Sequence, residues 1–201
     1  MAIAVKAPTP TYCDVIGQKR NYPMKPSFAS IALSTLMTAV AAHAALPVGA
    51  PAPDFTTEAS LGGKAFTFSL ADALKKGPVV LYFYPAAFTK GCTIEAHDFA
   101  EATDKFAALG ATVIGVSHDG IDKLKEFSVS ECRGKFAVAA DPDGKVIKAY
   151  DAKLPVVAYA DRISYVIAPD HKVIFVYSAM DPGQHVTLTM AAVKKWKDGQ
   201  K

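Results

Sequence analysis

Tyr82-Phe83-Tyr84-Pro85-Ala86-Ala87-Phe88-Thr89-Lys90-Gly91-Cys92-Thr93-Ile94-Glu95 is the stretch that decides how this chain is read. It ends an apolar strand and opens a helix, and it holds a Pro-x-x-x-Thr-x-x-Cys element formed by Pro85, Thr89 and Cys92. A thiol at the head of a helix sits among backbone N–H groups that have no intrahelical partner, at the positive end of the macrodipole. Both favour thiolate over thiol, and the thiolate is the nucleophile. The pattern predicts a reactive cysteine at position 92.

Upstream, Pro78 to Tyr84 is almost continuously apolar and aromatic, the mark of a buried central strand. Downstream, Phe99, Ala102, Phe106 and Leu109 recur at helical spacing over Thr93 to Leu109, and Gly110 ends the helix. Ala111 to Ser117 is a second buried strand, which completes a right-handed strand–helix–strand unit. A helix over Ile121 to Glu131, a short strand over Phe136 to Ala140 and a brief helix ending at Tyr150 follow. Ile163 to Ala168 and Lys172 to Tyr177 read as a hairpin, and Val186 to Lys197 as a closing helix. Before the central strand, Phe55 to Leu74 reads as a small hairpin around Gly62-Gly63 and then a helical turn. The expected fold is α/β, a mixed central sheet with helices on both faces.

The 201 residues are 51% hydrophobic, enough for one domain with a sizeable core. The formal charge of +3 belongs to the first 44 residues. These hold four of the 22 basic residues (Lys6, Lys19, Arg20 and Lys25) and one of the 19 acids, Asp14, so the remainder balances at 18 of each. That balance gives no nucleic-acid surface. Residues 24–44 read as a cleavable signal peptide: Met24-Lys25 opens it, a short apolar run from Phe28 to Ala41 follows, and Ala42-His43-Ala44 is a small-x-small site. Cleavage is expected after Ala44, which divides the chain into a leader at 1–44 and a domain at 45–201. Residues 1–23 lie upstream of a complete signal with its own Met. The expected location is periplasmic or secreted, with no stable membrane association after cleavage. Cys13 leaves with the leader, so Cys92 and Cys132 remain.

A thiolate needs a cation beside it to hold its charge and that of a leaving oxygen. The domain has two arginines, Arg133 and Arg162, and Arg162 opens the strand Ile163-Ser164-Tyr165-Val166-Ile167. From there a planar fork can point at the end of a neighbouring strand. Thr89 lies three residues before Cys92, within reach of the sulfur or of an oxygen bound there. Pro85 fixes the entry to the loop and offers a wall without an N–H.

Pro85, Thr89, Cys92 and Glu95, with Arg162 opening a later strand, resemble the peroxiredoxins, and Phe83-Tyr84-Pro85 with Phe88 to Ala96 is similar to the bacterioferritin-comigratory-protein, or PrxQ, branch. The resemblance runs from about Val48 to about Trp196. It implies a thioredoxin-like fold and reduction of hydrogen peroxide or organic hydroperoxides. It implies that Cys92 attacks the O–O bond and becomes a sulfenic acid, that Thr89 orients the peroxide, and that Arg162 stabilises the thiolate and the developing charge. Glu95 would hold the arginine. No metal or organic cofactor is implied, and the expected partners are the peroxide and a thioredoxin-like or small-thiol reductant. A monomer or weak dimer is expected.

Two departures stand out. Lys90 replaces a frequent proline, and His97 occupies the position five after Cys92 where many members of the branch carry a resolving cysteine. Cys132, at the expected end of the second helix, is the remaining resolving residue, and joining it to Cys92 requires local unwinding. A buried, inert Cys132 is the competing reading. His97, Asp98, Glu101 and Arg133 read as solvated charges, and His118 as a loop residue. Three other functions compete. A thiol–disulfide oxidoreductase needs Cys-x-x-Cys, and Thr89 stands where the first cysteine would be. A copper-binding chaperone needs converging cysteines, histidine or methionines. A structural Cys92–Cys132 staple leaves Thr89 and Arg162 without a role.

Overall fold

The computed structural model describes residues 45–200, so the leader and its cleavage site lie outside the described residues. The order of elements is β1 (Thr56–Leu61), β2 (Lys64–Ser69), α1 (Leu70–Leu74), β3 (Val79–Phe83), α2 (Lys90–Ala108), β4 (Thr112–Ser117), α3 (Ile121–Ser130), β5 (Ala137–Ala140), α4 (Lys145–Ala149), β6 (Ile163–Ile167), β7 (Val173–Ser178) and α5 (His185–Asp198). The expected elements are all present. Their ends move by a few residues, and the shift matters at two places. Helix α2 begins at Lys90, not Thr93, which puts Cys92 in its first turn, and α5 begins at His185, not Val186.

The seven strands form one sheet in the order β2-β1-β5-β4-β3-β6-β7. β3, β4 and β5 are parallel neighbours, while β1, β6 and β7 join antiparallel. The β1–β2 turn is Gly62-Gly63, both at positive φ (55° and 81°), the geometry a two-residue hairpin requires.

Alternation along β3 shows how the sheet divides the interior. Val79, Leu81 and Phe83 face one core with Leu70 and Leu74 of α1 and Ile147 of α4. Val80, Tyr82 and the following Tyr84 face the other, with Phe99 and Phe106 of α2, Leu124 and Phe127 of α3, and Val193 of α5. Every residue of β3 and β6 is buried, as expected of strands covered on both faces. The result is a thioredoxin-like α/β sandwich. Cys92 and Cys132 both belong to the second core, and both are free thiols.

One pairing in that core is fixed by size. Tyr82 lies opposite Gly115 in the β3–β4 register, and its ring stacks on Phe99 at 4.4 Å. A Cβ on Gly115 would fall 2.7 Å from the tyrosine ring. Gly115→Ala should therefore destabilise the fold by about 1–3 kcal/mol through overpacking. Urea unfolding of both proteins checks this, and an unchanged midpoint contradicts it.

Candidate active site

Thr89 is the N-cap of α2, with extended backbone, and the residue before it, Phe88, holds φ at +68°. A bulky residue in that region costs of order 1–3 kcal/mol and persists only where its surroundings over-determine it. Here three contacts do so. The Phe88 ring packs edge-on against Phe127 at 5.2 Å. The Ala87 N–H donates to Asp119 Oδ2 at 2.7 Å, and Asp119 is itself tied to the Ser117 hydroxyl and to Lys123. The Thr89 hydroxyl donates to the Ala86 carbonyl at 3.0 Å, closing the loop on itself. Thr89 is thus directed to the loop and not to the sulfur, and its oxygen keeps only lone pairs to offer.

The helix then carries Cys92 into the protein, leaving its side chain 1% exposed. Arg162, just before β6, reaches the same point and is 3% exposed. Its Nη2 donates to Cys92 Sγ at 3.4 Å, Nη1 to Glu95 Oε2 and Nε to the Met180 carbonyl at 2.9 Å. One guanidinium therefore fastens α2 to the loop after β7 and sets a fixed cation beside the thiol. Burial pulls the arginine down, but Glu95 and Cys92 outweigh it and hold it above its ordinary value. Glu95 is fully buried, and desolvation pushes its carboxyl up to about 8 against the opposing pull of Arg162.

Of the five residues read from the sequence as the site, Cys92, Glu95 and Arg162 are brought together in direct contact. Pro85 and Thr89 frame the loop before them. Cys132 follows the end of α3, where its N–H donates to the Phe127 carbonyl. It is fully buried, and burial, reinforced by Glu131, pushes its thiol well up. The chain turns after it through Arg133 (φ 52°) and Gly134 (φ 63°).

Several of the residues expected to be solvated charges or loop residues make polar contacts. His97 Nε2 lies 2.9 Å from Glu131 Oε2, Arg133 Nη1 lies 3.2 Å from Glu101 and Lys135 pairs with Asp104, so α2 is laced to the turn that carries Cys132. His118 Nδ1 bonds the Asp141 carbonyl at 3.0 Å. Four site-forming residues escaped the sequence reading: Gly91, Asp119, Ser164 and His185. Gly91 carried a usable signal, being a glycine in the first turn of a helix. A Cβ there would meet Arg162 Nη2 at 3.0 Å. The cleft of about 550 Å³ lined by Asp54, Glu58, Asp141 and Tyr150 holds neither cysteine nor histidine.

A thioredoxin-like sheet with a buried thiol at a helix head, gripped by an arginine from a neighbouring strand, defines a class of thiol enzyme. The family model of the AhpC/TSA family matches residues 48–176. A putative peroxiredoxin bcp of Helicobacter pylori is 42% identical over 120 residues, spanning 60% of this chain and 72% of that protein. The chloroplastic peroxiredoxin Q of Oryza sativa subsp. japonica is 32% identical over 184 residues, spanning 84% and 82%. The crystal structure of peroxidoxin BcpB from Mycobacterium tuberculosis superposes with a TM-score of 0.69 at 29% identity, covering 75% of this chain and 97% of that one. The chain belongs to the AhpC/TSA family of peroxiredoxins, is consistent with the bcp/PrxQ branch and is a thiol peroxidase.

Gly91→Ala should displace the Arg162 fork while leaving the fold intact. The expected outcome is a rate of peroxide consumption up to about tenfold lower with little change in melting temperature, since the fork has to give way by a small fraction of the ~1 Å misplacement that costs about 100-fold. An unchanged rate would mean that Arg162 yields without consequence.

Proposed function

We propose that Cys92 is the peroxidatic residue, reducing hydrogen peroxide and organic hydroperoxides in antioxidant defence. The observation that carries the reading is the 3.4 Å contact between Arg162 Nη2 and Cys92 Sγ at the head of α2. The thiolate attacks one peroxide oxygen along the O–O axis. An S–O bond forms, the O–O bond breaks, and the departing oxygen takes a proton to leave as water or alcohol. Sulfur is oxidised to sulfenic acid and the peroxide is reduced. Thr89, its hydrogen committed to Ala86, acts as an acceptor and orients a peroxide O–H. The first-turn amides, including that of Cys92, and Arg162 face the oxygen on which charge develops. Pro85 walls the loop, and Glu95 anchors the arginine.

Cys132 is the resolving residue in this reading. Its thiol attacks the sulfenic sulfur, an S–S bond forms and water leaves. A thioredoxin-like dithiol or a small thiol then reduces the disulfide. Membership of both cysteines in one core supports this, and the pairs His97–Glu131 and Arg133–Glu101 lace the turn after α3 to α2 at and near the surface. Such pairs are worth about 0–1 kcal/mol each, so unwinding the turn loses little on their account. Until it unwinds, burial keeps Cys132 a thiol.

Two features weigh against the competing functions. Among the described residues no group of three or more His, Cys, Asp or Glu is arranged to hold a metal ion, which leaves the copper-chaperone reading without a site. Thr89 stands where a dithiol oxidoreductase would carry its first cysteine.

Intact-mass spectrometry after one equivalent of hydrogen peroxide, with and without a sulfenic-acid trap, tests the assignment. Wild type should lose two hydrogens as Cys92 and Cys132 join. Cys132→Ser should give a trapped adduct at Cys92, and Cys92→Ser should give neither product and consume no peroxide. Turnover by Cys92→Ser would end the proposal, and a trapped adduct in wild type with Cys132 still free would mean that an external thiol resolves Cys92.

The leader at 1–44 supports export to the periplasm or beyond, with cleavage after Ala44. Material recovered from that compartment should have a mass beginning at Ala45. A mass that retains residues 24–44 would overturn the cleavage.

A further inference from the structure

Behind Arg162 lies a second buried contact that peroxide chemistry alone does not call for. His185, the first residue of α5, is fully buried. Its Nε2 lies 2.9 Å from the Ala179 carbonyl, and a carbonyl only accepts, so Nε2 carries the hydrogen. In the neutral ring, Nδ1 is then a lone pair. It receives the Ser164 hydroxyl at 2.8 Å, and it also faces Glu95 Oε1 at 3.6 Å. That carboxyl oxygen is buried and has no hydrogen-bond partner. An ionised Oε1 facing that occupied lone pair in a dry interior is unfavourable, and a proton on Oε1 removes the repulsion.

We propose that Glu95 carries a proton on Oε1, the oxygen that faces His185 Nδ1, in the reduced site, and that its presence leaves the charge of Arg162 to Cys92. His185 is thus a positioning residue that acts through Glu95. The inference rests on Cys92 being the nucleophile. With the proton in place, the thiolate and the guanidinium balance, and the Glu95–His185 pair is neutral overall. With the proton gone, the carboxylate competes for the same guanidinium, and the buried cluster carries a net negative charge.

Burial distributes the proton in the same sense. It pushes Glu95 up to about 8 and holds His185 below its ordinary imidazole value, so the carboxyl carries the proton near neutral pH. Other groups face the pair from each surrounding element. Arg162 lies at the foot of β6, with Asp161 before it. Asp181 follows β7, and Tyr177 on β7 sets its ring edge-on at 4.8 Å. Asp98 on α2 and Tyr82 on β3 face Glu95.

The test uses reduced wild-type protein, with NMR of ¹³Cδ-labelled glutamate and ¹⁵N-labelled histidine between pH 6 and 9.5. In parallel, the second-order rate with hydrogen peroxide is followed over the same range. His185 should show the neutral Nε2–H form at pH 7, and Glu95 Cδ should titrate near pH 8. The rate should fall about tenfold from pH 7 to pH 9 as the proton leaves. Ionisation of a thiol only raises the rate with pH, so a falling limb marks another group. His185→Phe, which removes the lone pair, should move both the Glu95 titration and the falling limb to lower pH by about one unit. If that variant does not fold, the wild-type titration decides alone.

A Glu95 resonance fixed at the carboxylate position throughout, or a hydrogen on His185 Nδ1 in place of Nε2, overturns the proton on Glu95. A titrating Glu95 with a flat rate profile overturns its coupling to Cys92. Loss of the peroxidase reading has a different signature: the titration is present and the wild-type protein does not react with peroxide.

Discussion

The site is organised around one buried cation with two claimants. Arg162 is 3% exposed, and its fork is divided between the Cys92 sulfur, the Glu95 carboxylate group and a backbone carbonyl. Removing a guanidinium from water costs several kcal/mol, and only well-placed acceptors offset it. Much of the surrounding structure can be understood as meeting that condition. β6 is buried along its whole length and delivers the arginine at its foot, while α2 delivers Cys92 and Glu95 one turn apart on the face that meets it. Gly91 leaves the room in which the fork lies. The loop after β7 gives up a carbonyl at Met180 and, one residue earlier, the Ala179 carbonyl to His185.

The same condition accounts for the strained entry into α2. A helix that began one residue later would rotate Cys92 away from the arginine by about 100°. The left-handed Phe88 fixes where the helix begins. It is secured by its ring on Phe127 and by the Asp119 contact to the neighbouring amide. Residues far from the sulfur in sequence, on the β4–α3 loop and on α3, thereby set the register of the helix that holds it.

This division explains which parts of the molecule were legible in the sequence. The sheet and helices came through because their signals are periodic and local: a solid apolar run for β3, and helical spacing of Phe99, Ala102 and Phe106 for α2. Cys92 was visible because its chemistry depends on a helix start that the same local signals mark. Arg162 was reached from the thiolate's need for a cation and Glu95 through a family resemblance, and the structure brings both into contact with each other and Arg162 into contact with the thiol. His185 was not legible. A single histidine at a helix start carries no periodic signal, and its meaning comes from Ser164, Ala179 and Glu95, which lie on three other elements. The ion pair of His97 was not legible for a related reason. It depends on Glu131, which helix packing places beside His97 and sequence spacing does not.

The two cysteines show how one core can hold thiols in different electrostatic surroundings. Both are buried in the same apolar cluster, so burial alone does not separate them. What differs is the charge in contact with each. Cys92 has the guanidinium at 3.4 Å and stands among first-turn amides, whereas Cys132 stands next to Glu131 at the carbonyl end of α3, where the helix field opposes a negative sulfur. In the proposed reaction, the polarity of the two helices thus separates the attacking sulfur from the one held in reserve. The second sulfur gains reactivity only by leaving its helix end, and a turn with two residues at positive φ is a fitting place for the chain to open.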